Sequence, residues 1–368
     1  MTKTSFNSGR VLSAGVLSAV LTVGLGAGLF TAGAASAEMA KGDTSGMKIG
    51  FSSSYSGSSF RQVMNRNFEE TAKQAQKDGL IGGYGLVSAN NNVTEQAGQI
   101  QNMVLQGYKA IVILAASDTA LNGAVRDACS AGVKVVVFAG SVTEKCAYTV
   151  NYDWAQMGKA EVDYLNGRLK GKGNLLEIRG IAGDSTDKDI SDGIHAAASK
   201  EPGLKFVGTV YGQWTQTVAQ KEVSTILPTL PQVDGVVTQG GDGYGAAQAF
   251  SAAGRKLPII IMGNRYDELA WWQKQHAKDG YETMSLGATP SVVEAAFWVA
   301  QQLLAGRDVP KKIEVPLLTV QQKDLDAWVK ATPKGGVANA PFTRDLTSQI
   351  IDANEKGAAL PAIPTPKS

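Results

Sequence analysis

Ala110-Ile111-Val112-Ile113-Leu114-Ala115 and Val133-Lys134-Val135-Val136-Val137-Phe138-Ala139 are the two runs on which the fold turns. Each is a short, nearly continuous stretch of β-branched and apolar residues bounded by Gly and polar turns. Runs of this kind suit strands of a parallel sheet buried on both faces. Between them, Ala120–Ala131 carries a helical pattern, so strand, helix and strand form a βαβ unit. Upstream, Lys48–Ser52 reads as a strand and Phe60–Lys77 as an amphipathic helix, with Val63, Met64, Phe68, Ala72 and Ala75 on its apolar side. Gly85–Ser88 is strand-like, and Thr94–Gln106 is a helix. The alternation implies a doubly wound α/β lobe.

The same alternation then starts again. Strands are expected at Asn174–Arg179, Lys205–Tyr211, Gly235–Thr238 and Pro258–Met262. Helices are expected at Ile190–Lys200, Val218–Leu227, Tyr244–Ala253 and Glu268–Lys278. Two successive α/β runs of similar length imply two similar lobes. Ser291–Leu304 adds a helix, Lys312–Thr319 an extended run and Lys323–Lys330 a last helix, before a Pro-, Gly- and polar-rich tail.

The N-terminus reads as an export signal. Lys3 and Arg10 precede a stretch, 11–34, of Val, Leu, Ala, Gly, Ser and Thr with few other residues, and Ala35-Ser36-Ala37 supplies small residues where a signal peptidase cuts. Cleavage is expected before Glu38, with 1–37 removed; the alternative is an N-terminal membrane helix. No cysteine stands near that point, so a lipid tether is not expected. The two basic residues of the signal account for the formal charge of +2, and the remainder is neutral. A neutral protein has no general affinity for nucleic acid or anionic membrane. No apolar run after Ala37 is long enough to span a bilayer.

Cys129 and Cys146 are the two cysteines. An oxidising compartment permits a disulfide between them across a moderate loop, the alternative being two unpaired apolar residues. His195 and His276 lie far apart, with no metal-ligand spacing around them. Asp184, Asp187, Asp189 and Asp192 lack the spacing of a calcium loop and suit a helix cap. Gly241-Asp242-Gly243-Tyr244-Gly245 imitates a dinucleotide fingerprint without its full glycine spacing. No cofactor and no metal are expected.

Ligands of open α/β sheets bind beyond the carboxyl ends of the strands. The loops there are rich in aromatic and polar groups: Ser52-Ser53-Ser54-Tyr55-Ser56-Gly57, Gly183 to Asp189, Gly212-Gln213-Trp214-Thr215-Gln216, Gln239 to Tyr244, and Gly263-Asn264-Arg265. Aromatic faces pack the C–H side of a sugar ring, while amides and charges satisfy its hydroxyls.

Lys48-Ile49-Gly50-Phe51-Ser52, then Gly180-Ile181-Ala182-Gly183, then Val236-Val237-Thr238-Gln239-Gly240-Gly241-Asp242 resemble the ribose-type periplasmic sugar-binding proteins. The resemblance covers roughly residues 47–320, and Tyr211 to Thr217 looks like the signature of an uncharacterised branch. It implies a type I periplasmic binding protein: two similar doubly wound parallel-sheet lobes on a three-segment hinge, closing on a monosaccharide for an ABC import permease. Crossings are expected near Asn151–Trp154, Leu286–Thr289 and Val315–Thr319. One lobe would combine 47–150 with 289–315, the other 154–286 with 319–345, leaving 346–368 as a loose tail. A monomer without a nucleic-acid partner is expected.

Carried over residue by residue, the resemblance implies ligand contacts from Ser54 and Ser58, a stacking ring at Phe60, and Arg61 at a position often aromatic. Trp214 takes the aromatic position of the second lobe, Lys188 that of a ligand-binding Arg, and Asn264 that of an Asp. Gly241 or Asp242 lies near a polar contact, depending on the gap, and Tyr55, Asp187 and Arg265 share the same loops. Ala139 and Gly140 stand where the family presents an Asp-Arg pair, and Ala115 where it presents an Asn. Missing charged partners argue against ribose and for a larger, less hydroxylated, deoxy- or modified sugar. A receptor for chemotaxis uses the same fold. An enzyme would need a catalytic constellation, and neither histidine lies in a strand-end loop.

Overall fold

A computed structural model describes residues 39–367. The export-signal reading, with its cleavage before Glu38, lies outside the described residues. In chain order the elements begin with β1 (Lys48–Ser53), α1 (Ser59–Lys77), β2 (Gly83–Ser88), α2 (Val93–Leu105), β3 (Ala110–Leu114), α3 (Asn122–Ser130), β4 (Lys134–Phe138) and β5 (Tyr148–Asn151). They continue with α4 (Trp154–Leu169), β6 (Gly173–Arg179), α5 (Ser185–Ala198), β7 (Leu204–Tyr211), α6 (Gln216–Ile226), β8 (Gly235–Val237), α7 (Gly243–Ala252), β9 (Ile259–Ile260) and α8 (Tyr266–Asp279). The last are β10 (Ser285–Gly287), α9 (Val292–Leu304), β11 (Lys312–Glu314), β12 (Leu318–Val320), α10 (Leu325–Ala331) and α11 (Arg344–Lys356).

The first sheet is six-stranded, in the order β11-β5-β4-β3-β1-β2, and the second four-stranded, in the order β7-β6-β8-β9. Every pairing in both is parallel. Both are the doubly wound sheets expected from the alternation. β10 pairs antiparallel with β12 and touches the second sheet through a parallel bridge from Ser285 to Met262.

The apolar strand runs explain the layering. Along β3, Ala110, Val112 and Leu114 pack in the core under α1 and α9, while Ile111 and Ile113 pack under α2 and α3. Period-two alternation with apolar residues in both phases buries both faces of one strand. The second sheet repeats this: Leu176, Ile178 and Val236 face α6 and α7, whereas Leu175 and Val237 face α4 and α5. Cys129, in the last turn of α3, and Cys146, before β5, are joined in a disulfide with Cα atoms 6.3 Å apart.

The chain passes between the two cores through 151–154, 287–292 and 314–318, and once more through 337–343. This fourth passage departs from the expected organisation. Residues 344–356 are the capped helix α11, with Leu346, Ile350 and Ile351 in the first lobe's core, rather than a loose tail after a second-lobe segment. Thr343 accepts the amide of Leu346 at the N-terminus of α11, and Gly357, at φ +60°, ends it in a left-handed cap. The amphipathic spacing of 346, 350 and 351 drives this docking; the Pro- and Gly-rich flanks disguise it in the sequence.

Candidate functional site

Both sheets point their carboxyl strand ends into one cleft of about 750 Å³. The first lobe contributes the loop after β1, the ends of β3 and β4, and the start of α1. The second contributes the loops that open α5, α6, α7 and α8. A hydrogen bond of 3.3 Å from Ser185 Oγ to Asp118 Oδ2 joins the two rims.

On the first-lobe side, Ser58 caps α1 by accepting the amide of Arg61 at 3.3 Å. This cap places Phe60 and Arg61 in the first turn, where both line the cleft. The Arg61 guanidinium lies 5.8 Å from the Phe60 ring centre, and Nη1 approaches Met64 Sδ at 3.7 Å. Poor hydration draws Arg61 down to about 10, against the opposing pull of Asp184 across the cleft. Tyr55 lines the mouth with its ring folded over Gly57, where a Cβ would meet Tyr55 Oη at 1.9 Å. Beside these groups, Leu114, Ala115, Ala139 and Gly140 form a wall with no charged side chain.

On the second-lobe side, Trp214 packs on Gly180, where a Cβ would sit 2.4 Å from the indole. Gln213 and Trp214 are consecutive non-glycine residues in the left-handed region, at φ +56° and +52°. Such backbone is costly and is retained where the surroundings enforce it. Here Arg265 Nη2 donates to the Trp214 carbonyl at 3.1 Å and holds the turn. Asn264 lines the cleft, donating to the Ala288 carbonyl at 3.5 Å and accepting the Ser285 hydroxyl.

Four residues singled out in the sequence do not line the cleft. Lys188 is exposed on the outer side of α5 and pairs with Asp192 one turn on. Asp184 caps the helix there, accepting the amides of Thr186 and Asp187 at 2.7 and 3.3 Å, and this sets the phase that carries Lys188 away. Asp187 is buried as a brace: it pairs with Arg179 at 2.7 Å and accepts Gly180 N–H at 2.9 Å. Ser54 is buried at the end of β1, where its carbonyl accepts the Asn91 amide at 2.6 Å.

Asp242 is fully buried at the N-terminus of α7, with the Thr215 amide facing its carboxylate. Burial raises its pKa well above the usual carboxylate range, nearby Glu268 adds to this, and Arg265 opposes it. Glu268 is likewise raised by burial, although it accepts the amides of Gly243 and Gly263 at 3.0 Å each. Asp242 lies against Gly212 and Glu268 against Gly243 and Gly263, with Arg265 packed against Gly241.

The structure adds cleft residues that the sequence reading had not placed in the site: Gln213, Gln239, Asp184 and Asp118. Gln239 holds the floor, accepting Gly180 N–H at 3.0 Å and donating to Asp187 Oδ1 at 3.0 Å. Membership of the loops after β7 and β8 was the available signal. Trp272 is core and Trp271 meets Tyr281 edge-on and Tyr244 at a tilt; neither lines the cleft. Among the described residues no cluster of side chains is arranged to hold a metal, and no helix is long and apolar enough to cross a membrane.

Residues 49–308 match the family described as periplasmic binding protein domain. The xylitol-binding protein of Mycolicibacterium smegmatis is 31% identical over 265 residues, covering 67% of this chain and 74% of that protein. The ribose import binding protein of Bacillus subtilis is 25% identical over 293 residues, covering 78% and 92% respectively. The crystal structure of an ABC transporter solute binding protein from Thermobispora bispora superposes with a TM-score of 0.77 at 35% identity, covering 88% of this chain and 100% of that one. These relatives are solute-binding proteins rather than enzymes. Parallel sheets opening on a shared cleft and the match over most of the chain agree: it belongs to the periplasmic binding protein family.

Proposed function

We propose that this protein is an exported, monomeric receptor that captures a small sugar or sugar-like molecule between its lobes and delivers it to an ABC import permease. The observation that carries the reading is the cleft itself. Its walls are strand-end loops of two separate sheets, with Phe60 supplied by one lobe and Trp214 by the other. A ring held between two aromatic faces, with Asn264, Gln213 and Arg61 at its edge, is how such a cleft would take a sugar. Relatives named for xylitol, ribose and D-apiose support the solute class. The export-signal reading and the family support the periplasm as the site of capture.

Ligand that touches both lobes gains contacts only when they close, so it shifts the population toward the closed form. We assign the ligand contacts to Tyr55, Ser58, Phe60, Arg61, Trp214, Asn264 and Arg265, joined by Gln213 and Gln239. A thermal-shift screen of the purified protein against pentoses, hexoses, deoxy-sugars, sugar acids, polyols and nucleosides tests the reading. A ligand present at a hundred times its Kd stabilises the folded state by about 2.7 kcal/mol, so its sugar gives a clear, saturable rise in Tm. No rise with any member overturns sugar capture.

A further inference from the structure

We infer that the ligand of this cleft is a sugar acid, and that Arg61 selects it by pairing with its carboxylate. The inference rests on the capture reading above and narrows it to an anionic class. Two cations line the cleft, Arg61 and Arg265. Arg265 is occupied, donating to the Trp214 carbonyl and lying in the field of Asp242 and Glu268. Arg61 is not. Among the described residues no carboxylate lies within ion-pair distance of it, and its one side-chain acceptor is the Met64 sulfur at 3.7 Å. A thioether is a weak acceptor for a group with five N–H donors.

The acids in the cleft do not complete it. Asp184 acts on Arg61 from across the cleft without an ion pair and uses Oδ1 for the α5 cap, Asp118 accepts Ser185 across the rim, and Asp267 is exposed in the first turn of α8. The wall beside Arg61, formed by Leu114, Ala115, Ala139 and Gly140, offers no charged acceptor. Desolvation already penalises this guanidinium. A ligand that closes the lobes takes away more of its water and must supply acceptors in return. A carboxylate does so with two parallel charge-assisted N–H···O bonds, whereas the hydroxyls of a neutral sugar accept hydrogen bonds but bring no counter-charge. The uncharged wall meanwhile suits a ring face carrying few hydroxyls.

Calorimetric titration of the purified protein with matched pairs tests this: ribose and ribonate, xylose and xylonate, galactose and galacturonate. At least one acid is expected to bind ~10-fold or more tightly than its neutral partner, with the margin shrinking in about 0.5 M salt. Arg61→Gln should bring the pair within about threefold, and Arg61→Lys should keep part of the preference. Comparing acid with neutral sugar on the unaltered protein does not depend on how either variant folds. A neutral sugar binding as tightly as its acid, or more tightly, overturns the anionic class while leaving sugar capture standing. An acid preference untouched by Arg61→Gln overturns the role of Arg61. Binding by no member of any pair, nor by any compound of the wider screen, removes the capture reading and this inference with it.

Discussion

The Tyr152 hydroxyl accepts the backbone amide of Thr289 at 3.1 Å and donates to the Thr289 carbonyl at 3.4 Å, tying the first passage between the lobes to the second. Thr289 Oγ1 lies 2.8 Å from Ser291 Oγ, which in turn donates to the carbonyl of Ala340 in the fourth passage. Three of the four passages between the lobes are thus joined by one hydrogen-bond network. Burial raises the Tyr152 phenol to about 12, so it remains a donor at every physiological pH.

Tyr152→Phe keeps the ring, which lies 5.0 Å from that of Trp154, and deletes only the hydroxyl. The Thr289 amide is then buried without its partner, which costs about 1–3 kcal/mol. The urea midpoint should fall accordingly, with the slope unchanged. An unchanged midpoint would mean that water takes over the phenol's place.

Trp214→Ala should weaken ligand binding by more than ~1 kcal/mol if the indole stacks on the sugar. Gly180→Ala reaches the same group from behind, because its methyl would need the space now filled by the Trp214 ring. Both should lose affinity in calorimetry. Lys188→Ala, altering only an exposed pair on α5, should change it by less than about twofold.

The first lobe was legible because β3 and β4 carry apolar residues in both phases, a pattern that few structures other than a doubly covered strand accommodate, and the second because the strand–helix alternation starts again after it. Trp214 and Asn264 were legible as cleft residues because each sits in a loop directly after a strand, and Phe60 and Arg61 because they open the helix that follows β1. Lys188, Asp187 and Asp242 lie in equally suggestive loops, but a loop does not tell which way a side chain turns. The Asp184 cap fixes the phase of α5, and small side-chain-free positions at Gly180 and Gly212 let buried carboxylates approach the backbone. The α11 helix was hidden for a different reason. Its amphipathic spacing and caps are local, but they stand between Pro- and Gly-rich flanks, and the partners it packs on, α9 and β11, lie more than two dozen residues earlier in the chain.

Replacing Cys129 and Cys146 together by Ser removes a cross-link that closes a loop of 17 positions between α3 and β5. Chain-entropy reasoning puts its contribution at about 3 kcal/mol. The guanidinium midpoint should drop by a corresponding amount, and dithiothreitol should reproduce the loss in the unaltered protein. Neither sulfur lines the cleft, so ligand affinity at low temperature should be retained.

Glu294 ties α9 to the fourth passage, accepting the amide of Phe342 at 2.7 Å. Burial pushes its carboxyl up to about 8, although the Phe342 amide pulls the other way. The folded protein therefore keeps a proton here that the unfolded chain releases near the ordinary glutamate range. The stability linked to that proton is fully present below pH ~4.5 and is lost as pH rises through about 8, at no more than ~1.4 kcal/mol per pH unit. Glu294→Gln stays neutral and retains an acceptor for Phe342. Its stability should fall less than that of the unaltered protein between pH 5 and 8, and at about pH 8 it should be the more stable of the two. Parallel stability curves over that window, read by urea unfolding at each pH, would show that Glu294 is ionised in the fold.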